Sequence, residues 1–187
     1  MQPDIRDKLQ TYMRLLNRWQ MAINLVAPGS LLEAWTRHFE DSLQLVDMIP
    51  PNAAIADLGS GAGFPGLVIA IARPDVTVHL IESDKKKGTF LLSVSRETGA
   101  KNVHIHQDRI ESVLPKLKVD IITARALAPL HTLLTMTTSQ PDATCLFLKG
   151  ADWQNEVDMA RKDHVFAIVS KPSKTNPSAA VLRITRV

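Results

Sequence analysis

Apolar residues recur at spacings of three and four through Ile5, Leu9, Tyr12, Met13, Leu16, Trp19 and Ile23, which predicts an amphipathic helix over 5–23. The stretch APGS at 27–30 interrupts it, with Ser30 the expected N-cap of a second helix over 31–46. Trp35, Phe39, Leu43 and Val46 form that helix's apolar stripe, and IPPN at 49–52 ends it. From residue 53 the rhythm changes to short β-rich runs at 53–58, 76–81, 103–106, 119–124, 144–149, 164–170 and 180–187. Helix-length segments separate the first five runs, as a parallel sheet with crossover helices requires. The last two are joined by KPSKTNPSA at 171–179, too short for a crossover helix, so they should pair antiparallel. The expected architecture is α/β and Rossmann-like, a mostly parallel sheet ending in an antiparallel hairpin. It forms one domain over 1–187, with a helical extension at 1–52 and the core at 53–187.

Composition narrows the setting. No apolar run approaches the ~18 residues of a membrane span, and the N-terminal MQPDIRDK has no signal-peptide pattern. A single cysteine, Cys145, excludes an internal disulfide or a cysteine-built zinc site, so a cytoplasmic protein without a metal is expected. The net charge of +3 permits a polyanionic partner such as RNA without demanding one.

The chemistry concentrates in DLGSGAGFPG at 57–66. Gly61-x-Gly63-x-x-Gly66 matches a dinucleotide fingerprint, and Asp57-x-Gly59-x-Gly61-x-Gly63 matches the loop that holds S-adenosylmethionine. A carboxylate entering this loop repels a pyrophosphate but suits a sulfonium and an amino group, which favours the second frame. Asp57 is therefore expected at the cationic end of the cofactor, with a loop-ordering carboxylate as the alternative. Glu82, at the end of the next strand run, is the expected acceptor for the ribose hydroxyls. After the third run, Asp108 or Glu111 can accept from the adenine amine while Ile110 packs on the ring. Only residues 151–187 follow the fifth run, too few for the catalytic domain of a dehydrogenase.

Acceptor chemistry is bounded by what is missing. Cys145 lies inside the apolar TCLFL, where a buried structural thiol is expected rather than a nucleophile. The segment after the fourth run reads TARALAPL, without the Asn/Asp-Pro-Pro-aromatic loop of exocyclic amine methylation. A guanine N7 needs neither nucleophile nor base, because its in-plane lone pair attacks the methyl group directly. Arg125, in that same segment, is the favoured positioning residue. In RHFEDS, His38, Asp41 and Ser42 share a helix face and form either a structural network or a functional one. DKKKG at 84–88 offers Lys86 and Lys87 to RNA phosphates, or is a solvated helix start.

With these residues in hand, the chain resembles the bacterial small-subunit ribosomal RNA guanine-N7 methyltransferases, also called glucose-inhibited division protein B. The resemblance runs from about residue 12 to 187 through NRW…NL, RHFEDSL, DLGSGAGFPGL, LIES, KK..FL, RIE, ARALA and LKG. Val26, Ala124 and Leu127 depart from the Thr, Ser and Phe frequent in that family. The resemblance implies a class I S-adenosylmethionine-dependent methyltransferase fold and N7 methylation of one guanine in the 530 loop of 16S rRNA. It implies a cofactor pocket built from Gly59, Gly61, Phe64, Glu82, Ile110, Glu111 and Arg125. The RNA surface is expected around Arg37, His38, Lys86 and Lys87, on a monomer acting on 16S rRNA or a small-subunit particle. A nicotinamide-dependent oxidoreductase and a non-catalytic RNA-binding module of the same fold are the alternatives.

Overall fold

The computed structural model describes residues 2–187. Helix α1 (Pro3–Gln20) buries Leu9, Tyr12 and Leu16 and opens with Pro3 and Asp4, a start that its free N–H groups and dipole favour. The second helix expected from the sequence is not regular. Ser30 sits in a 3₁₀ turn rather than capping a helix, a π-helical stretch covers Trp35–Glu40, and a short α2 (Asp41–Leu43) follows. A π-turn widens the spacing by one residue. Here Phe39 is buried as the stripe requires, and its neighbour His38, which the stripe does not include, is buried beside it.

The core follows as β1 (Ala54–Leu58), α3 (Gly66–Ala72), β2 (Thr77–Ile81), α4 (Lys85–Thr98), β3 (Val103–His106), α5 (Ile110–Val113), β4 (Ile121–Arg125), α6 (Leu130–Met136), β5 (Thr144–Lys149), α7 (Trp153–Ala160), β6 (Phe166–Pro172) and β7 (Ala180–Arg186). The sheet order is β3-β2-β1-β4-β5-β7-β6. β1 to β5 run parallel, and β7 pairs antiparallel with both β5 and β6. Alternating side chains divide the interior in two. On one face Ile55, Val78, Leu80, Leu146 and Leu148 pack with α1, α3, α4 and the 25–49 segment. On the other, Ala56, Leu58, Ile122, Cys145 and Phe147 pack beneath α6 and α7. The N-terminal extension thus completes the core of the first face rather than standing apart from it.

Helix α3 lies close against β1 because Gly66 has no side chain. A Cβ there would stand 2.5 Å from Leu80 Cδ2 and 2.6 Å from Asp57 Cβ. Gly66→Ala should therefore cost about 1–3 kcal/mol in urea unfolding, the range for overpacking a tight contact. Gly29→Ala, where a Cβ meets nothing within 4 Å, should stay within about 0.5 kcal/mol of the native chain. Equal effects at both positions would mean the helix moves away freely.

Candidate active site

From β1 the chain builds β2 and β3 on one side and returns to place β4 on the other, so a crevice opens at the carboxyl ends of β1 and β4. A cavity of about 1190 Å³ occupies it. Its near wall is the loop after β1, where Gly59, Gly61 and Gly63 take φ of 58°, 56° and 91°. Residues with a Cβ rarely adopt such angles. A Cβ on Gly61 would approach nothing closer than 3.7 Å, so the loop presents bare backbone to open space. A ligand can come close there. Gly59 instead faces Leu127, whose Cδ1 would stand 2.5 Å from an added Cβ.

Glu82 controls this loop. One carboxylate oxygen accepts the Gly61 N–H and the other accepts the Asp84 N–H, both at 2.8 Å. Carboxylate oxygens can each accept more than one donor, so Glu82 can order the loop and still receive a ribose hydroxyl. From beneath, the Tyr12 hydroxyl donates to the Ala62 carbonyl. The Tyr12 ring stacks on Phe64 with centroids 5.3 Å apart, and Phe39 meets both rings edge-on. Asp108, Ile110 and Glu111 line the cavity beyond Glu82.

Arg125 closes the far side, with its guanidinium 5.0 Å above the Phe64 ring. It donates to the Arg37 carbonyl at 2.9 Å and pairs with Asp41 at 3.5 Å. Burial lowers the Arg125 pKa and Asp41 opposes that shift. Asp41 also accepts from Thr175 at 2.9 Å and Gln44 at 2.7 Å, which brings the 171–179 connection onto the cavity as a third wall. The next residue, Ala126, has φ 51°, an angle unfavourable for a residue with a Cβ. Behind Arg125, Lys149 forms an ion pair with Glu156 at 2.6 Å.

The expected residues separate on inspection. Gly59, Gly61, Phe64, Glu82, Ile110, Glu111 and Arg125 converge on one cavity, and Arg37 and Lys87 reach its rim. Asp57 does not. It is fully buried behind the loop, where Oδ1 accepts the Thr123 hydroxyl at 2.7 Å and Oδ2 has no hydrogen-bond partner. Its side chain points from β1 against Gly66 and ties β1 to Thr123 of β4, outside the cavity lining. Lys86 lies outside the cavity lining and is exposed on the first turn of α4, which Asp84 caps through the Lys86 and Lys87 N–H groups.

His38 lines the cavity as a buried side chain. Its ring stacks on Phe64, its Nε2 bonds Ser30 Oγ at 2.9 Å, and burial together with Arg125 and Arg37 lowers its pKa to about 4. Within RHFEDS, Ser42 donates to the His38 carbonyl at 2.6 Å while Asp41 turns to Arg125. Sequence reasoning placed Asp41 in a network but missed its partners Arg125 and Thr175, since those lie 84 and 134 positions away. It also missed Glu156, which carries no local signal.

Comparison with known proteins agrees with this geometry. Residues 5–179 match the family model described as rRNA small subunit methyltransferase G. The chain is 46% identical to the ribosomal RNA small subunit methyltransferase G of Methylobacterium nodulans, over 95% of this chain and 86% of that one. Identity to the protein of the same name from Gluconobacter oxydans is 42%, covering 97% and 94%. A ribosomal protein L11 methylase from Lactobacillus delbrueckii superposes with a TM-score of 0.63 at 17% identity, covering 80% of this chain and 78% of that one. A SAM-dependent methyltransferase from Aquifex aeolicus does so with 0.63 at 14%, covering 81% and 92%. These two likenesses concern the fold, which is the class I methyltransferase fold.

Desolvation raises the Asp57 carboxyl to about 6, against the Thr123 hydrogen bond. A carboxyl raised in the fold keeps a proton that the unfolded chain has released. Its contribution to stability is full below the unfolded pKa of about 4 and is lost as pH rises through 6. Asp57→Asn removes this titration. Its stability relative to the native chain should improve by about 2 kcal/mol between pH 4.5 and 7.5 in urea unfolding. A difference that does not change with pH would mean Asp57 is already ionised in the fold at the acid end.

Proposed function

The chain belongs to the rRNA small subunit methyltransferase G family, and we propose that it methylates N7 of one guanine in the 530 loop of 16S rRNA from S-adenosylmethionine. The observation that carries this reading is the continuity of one cavity from the open Gly61 backbone and Glu82 to Arg125 and Lys149. The nucleoside end of the cofactor fits the first part, with Glu82 accepting from the ribose, Ile110 against the adenine and Glu111 or Asp108 accepting from its amine. The acceptor base enters from the Arg125 side.

When bound, S-adenosylmethionine supplies a methyl group whose bond to sulfur breaks as the N7 lone pair attacks, leaving a neutral thioether and a cationic purine. No proton moves, so the chain needs no base. Its own groups fit that demand. His38 is neutral, and burial raises the Cys145 thiol to about 11, which makes it inert as a nucleophile. The chain's contribution is to hold two reactants in line and exclude water, a large effect on its own. A dinucleotide fits poorly, because the Gly61 N–H that a pyrophosphate would use is already bonded to the Glu82 carboxylate. Arg37, Lys87 and Arg109 line the cavity rim, where RNA phosphates would arrive.

Glu82→Ala should weaken S-adenosylmethionine binding by roughly 10–150-fold, the value of a hydrogen bond to a charged acceptor. Calorimetry on the folded variant checks it, and unchanged affinity would remove Glu82 from the site. For RNA, Lys87→Ala and Arg109→Ala should each flatten the log–log salt dependence of binding by about 0.7–0.9, while Lys86→Ala leaves the slope as it is. If Lys86→Ala moves the slope and the other two do not, RNA approaches over the outer surface of α4.

A further inference from the structure

Past Arg125 the cavity continues into a second lobe at the carboxyl end of β5, lined by Leu148, Lys149, Gly150 and Glu156. The β4–β5 register sets Leu148 opposite Arg125, so Lys149 projects one residue beyond it on the neighbouring strand. This is the acceptor side of the cavity. The Lys149–Glu156 pair there has side chains only 9% and 21% exposed. Burying such a pair offers little net stability, which is weak reason to keep one.

Its hydrogen bonds are incompletely used. Lys149 Nζ has three donors, and its partners are Glu156 Oε2 at 2.6 Å and the Ala128 carbonyl at 2.9 Å. Glu156 Oε2 also accepts the Leu130 N–H at 2.6 Å, and among the described residues every hydrogen bond of the Glu156 carboxylate falls on Oε2. One N–H donor and one carboxylate oxygen therefore remain side by side, with their positions fixed by the partners already made. A base edge that presents an acceptor next to a donor fits them. Guanine does so, with O6 beside N1–H and the N2 amine. With N7 turned to the methyl donor, adenine presents its N6 amine first and the N1 acceptor second, and uracil, which shares guanine's order, has no N7 to methylate.

We propose that Lys149 and Glu156 read the target guanine, Nζ donating to O6 and Oε1 accepting from N1–H and the N2 amine. This rests on the methyltransferase reading above and adds to it the residues that choose the base. The same carboxylate faces the positive charge that N7 methylation leaves on the purine, so its interaction strengthens as methyl transfer proceeds. A site built around paired polar groups rejects a base that leaves them unpaired far better than an apolar pocket does.

The test is single-turnover methyl transfer to a small-subunit RNA fragment carrying guanosine or inosine at the target, by the native chain and by Glu156→Gln. Inosine keeps O6, N1–H and N7 and lacks only the N2 amine. The native chain should prefer guanosine by about 10-fold or more. Glu156→Gln should lower the guanosine rate by about 10–100-fold, bring the guanosine-to-inosine ratio towards one, and leave S-adenosylhomocysteine affinity within about 2-fold. Glu156→Asp, which keeps the charge but retracts it, serves if the first variant does not fold, with the same fall in ratio expected. A native ratio of one, or a ratio identical in native and variant, overturns the base-reading role even while methyl transfer persists. Absence of any transfer to small-subunit RNA by the native chain overturns the methyltransferase reading and this proposal with it.

Discussion

Between the end of β1 and the start of α3 the chain must turn back in seven residues, and Gly59, Gly61 and Gly63 make that turn through left-handed angles. The rest of the cavity is arranged around this loop. Glu82 holds it from the β2 side through the Gly61 N–H, and Tyr12 holds it from below through the Ala62 carbonyl. Leu127 presses on it from the β4 side at Gly59, and Gly66 lets the following helix close onto the sheet. Three distant parts of the chain, together with the helix that follows, thereby fix a stretch of bare backbone whose own conformational freedom is large.

The N-terminal segment is part of the active site as well as of the core. Phe39 and Phe64 pack with Tyr12, His38 lies against Phe64, and Arg125 rests on the same ring. A buried guanidinium without a partner is expensive, and Asp41 relieves that cost while also holding Thr175. One carboxylate thus joins the N-terminal segment, the end of β4 and the β6–β7 connection. The irregular π-turn before it brings His38 and Phe39 inward together.

Charge is distributed by depth. Glu82 sits inside beside the glycine loop, while Asp108 and Glu111 are exposed further along the same wall. Basic groups that make no buried pair, Arg37, Lys87 and Arg109, stand at the rim. On the proposed reading, a cationic methyl donor would meet the Glu82 carboxylate and a polyanionic acceptor the basic rim. With a net charge of only +3, this local arrangement matters more to RNA approach than the total does.

Sequence periodicity located all seven strands within two residues at every end, because the central strands, buried on both faces, read as short apolar runs between breakers and the edge strands β3 and β6 keep β-branched or aromatic residues between turn residues. The glycine loop and Glu82 were legible for a similar reason: each follows a strand directly, and left-handed angles demand glycine at fixed spacing. The placement of Asp57 outside the cavity lining was not legible, because a sequence shows that a carboxylate ends a strand but not which way it points. Here the close contact with Gly66 and the Thr123 hydroxyl decide that direction. The π-turn was invisible since a shift of one residue leaves the apolar stripe almost unchanged. The partners of Asp41, and the unspent hydrogen-bonding groups of Lys149 and Glu156, exist only after β4, β5, α7 and the 171–179 connection have come together. Local residue type set the elements and the loop, whereas tertiary packing set the direction of the buried charged side chains Asp57, Arg125 and Lys149. The cost of burying a charge can be met only by a partner that folding brings within reach.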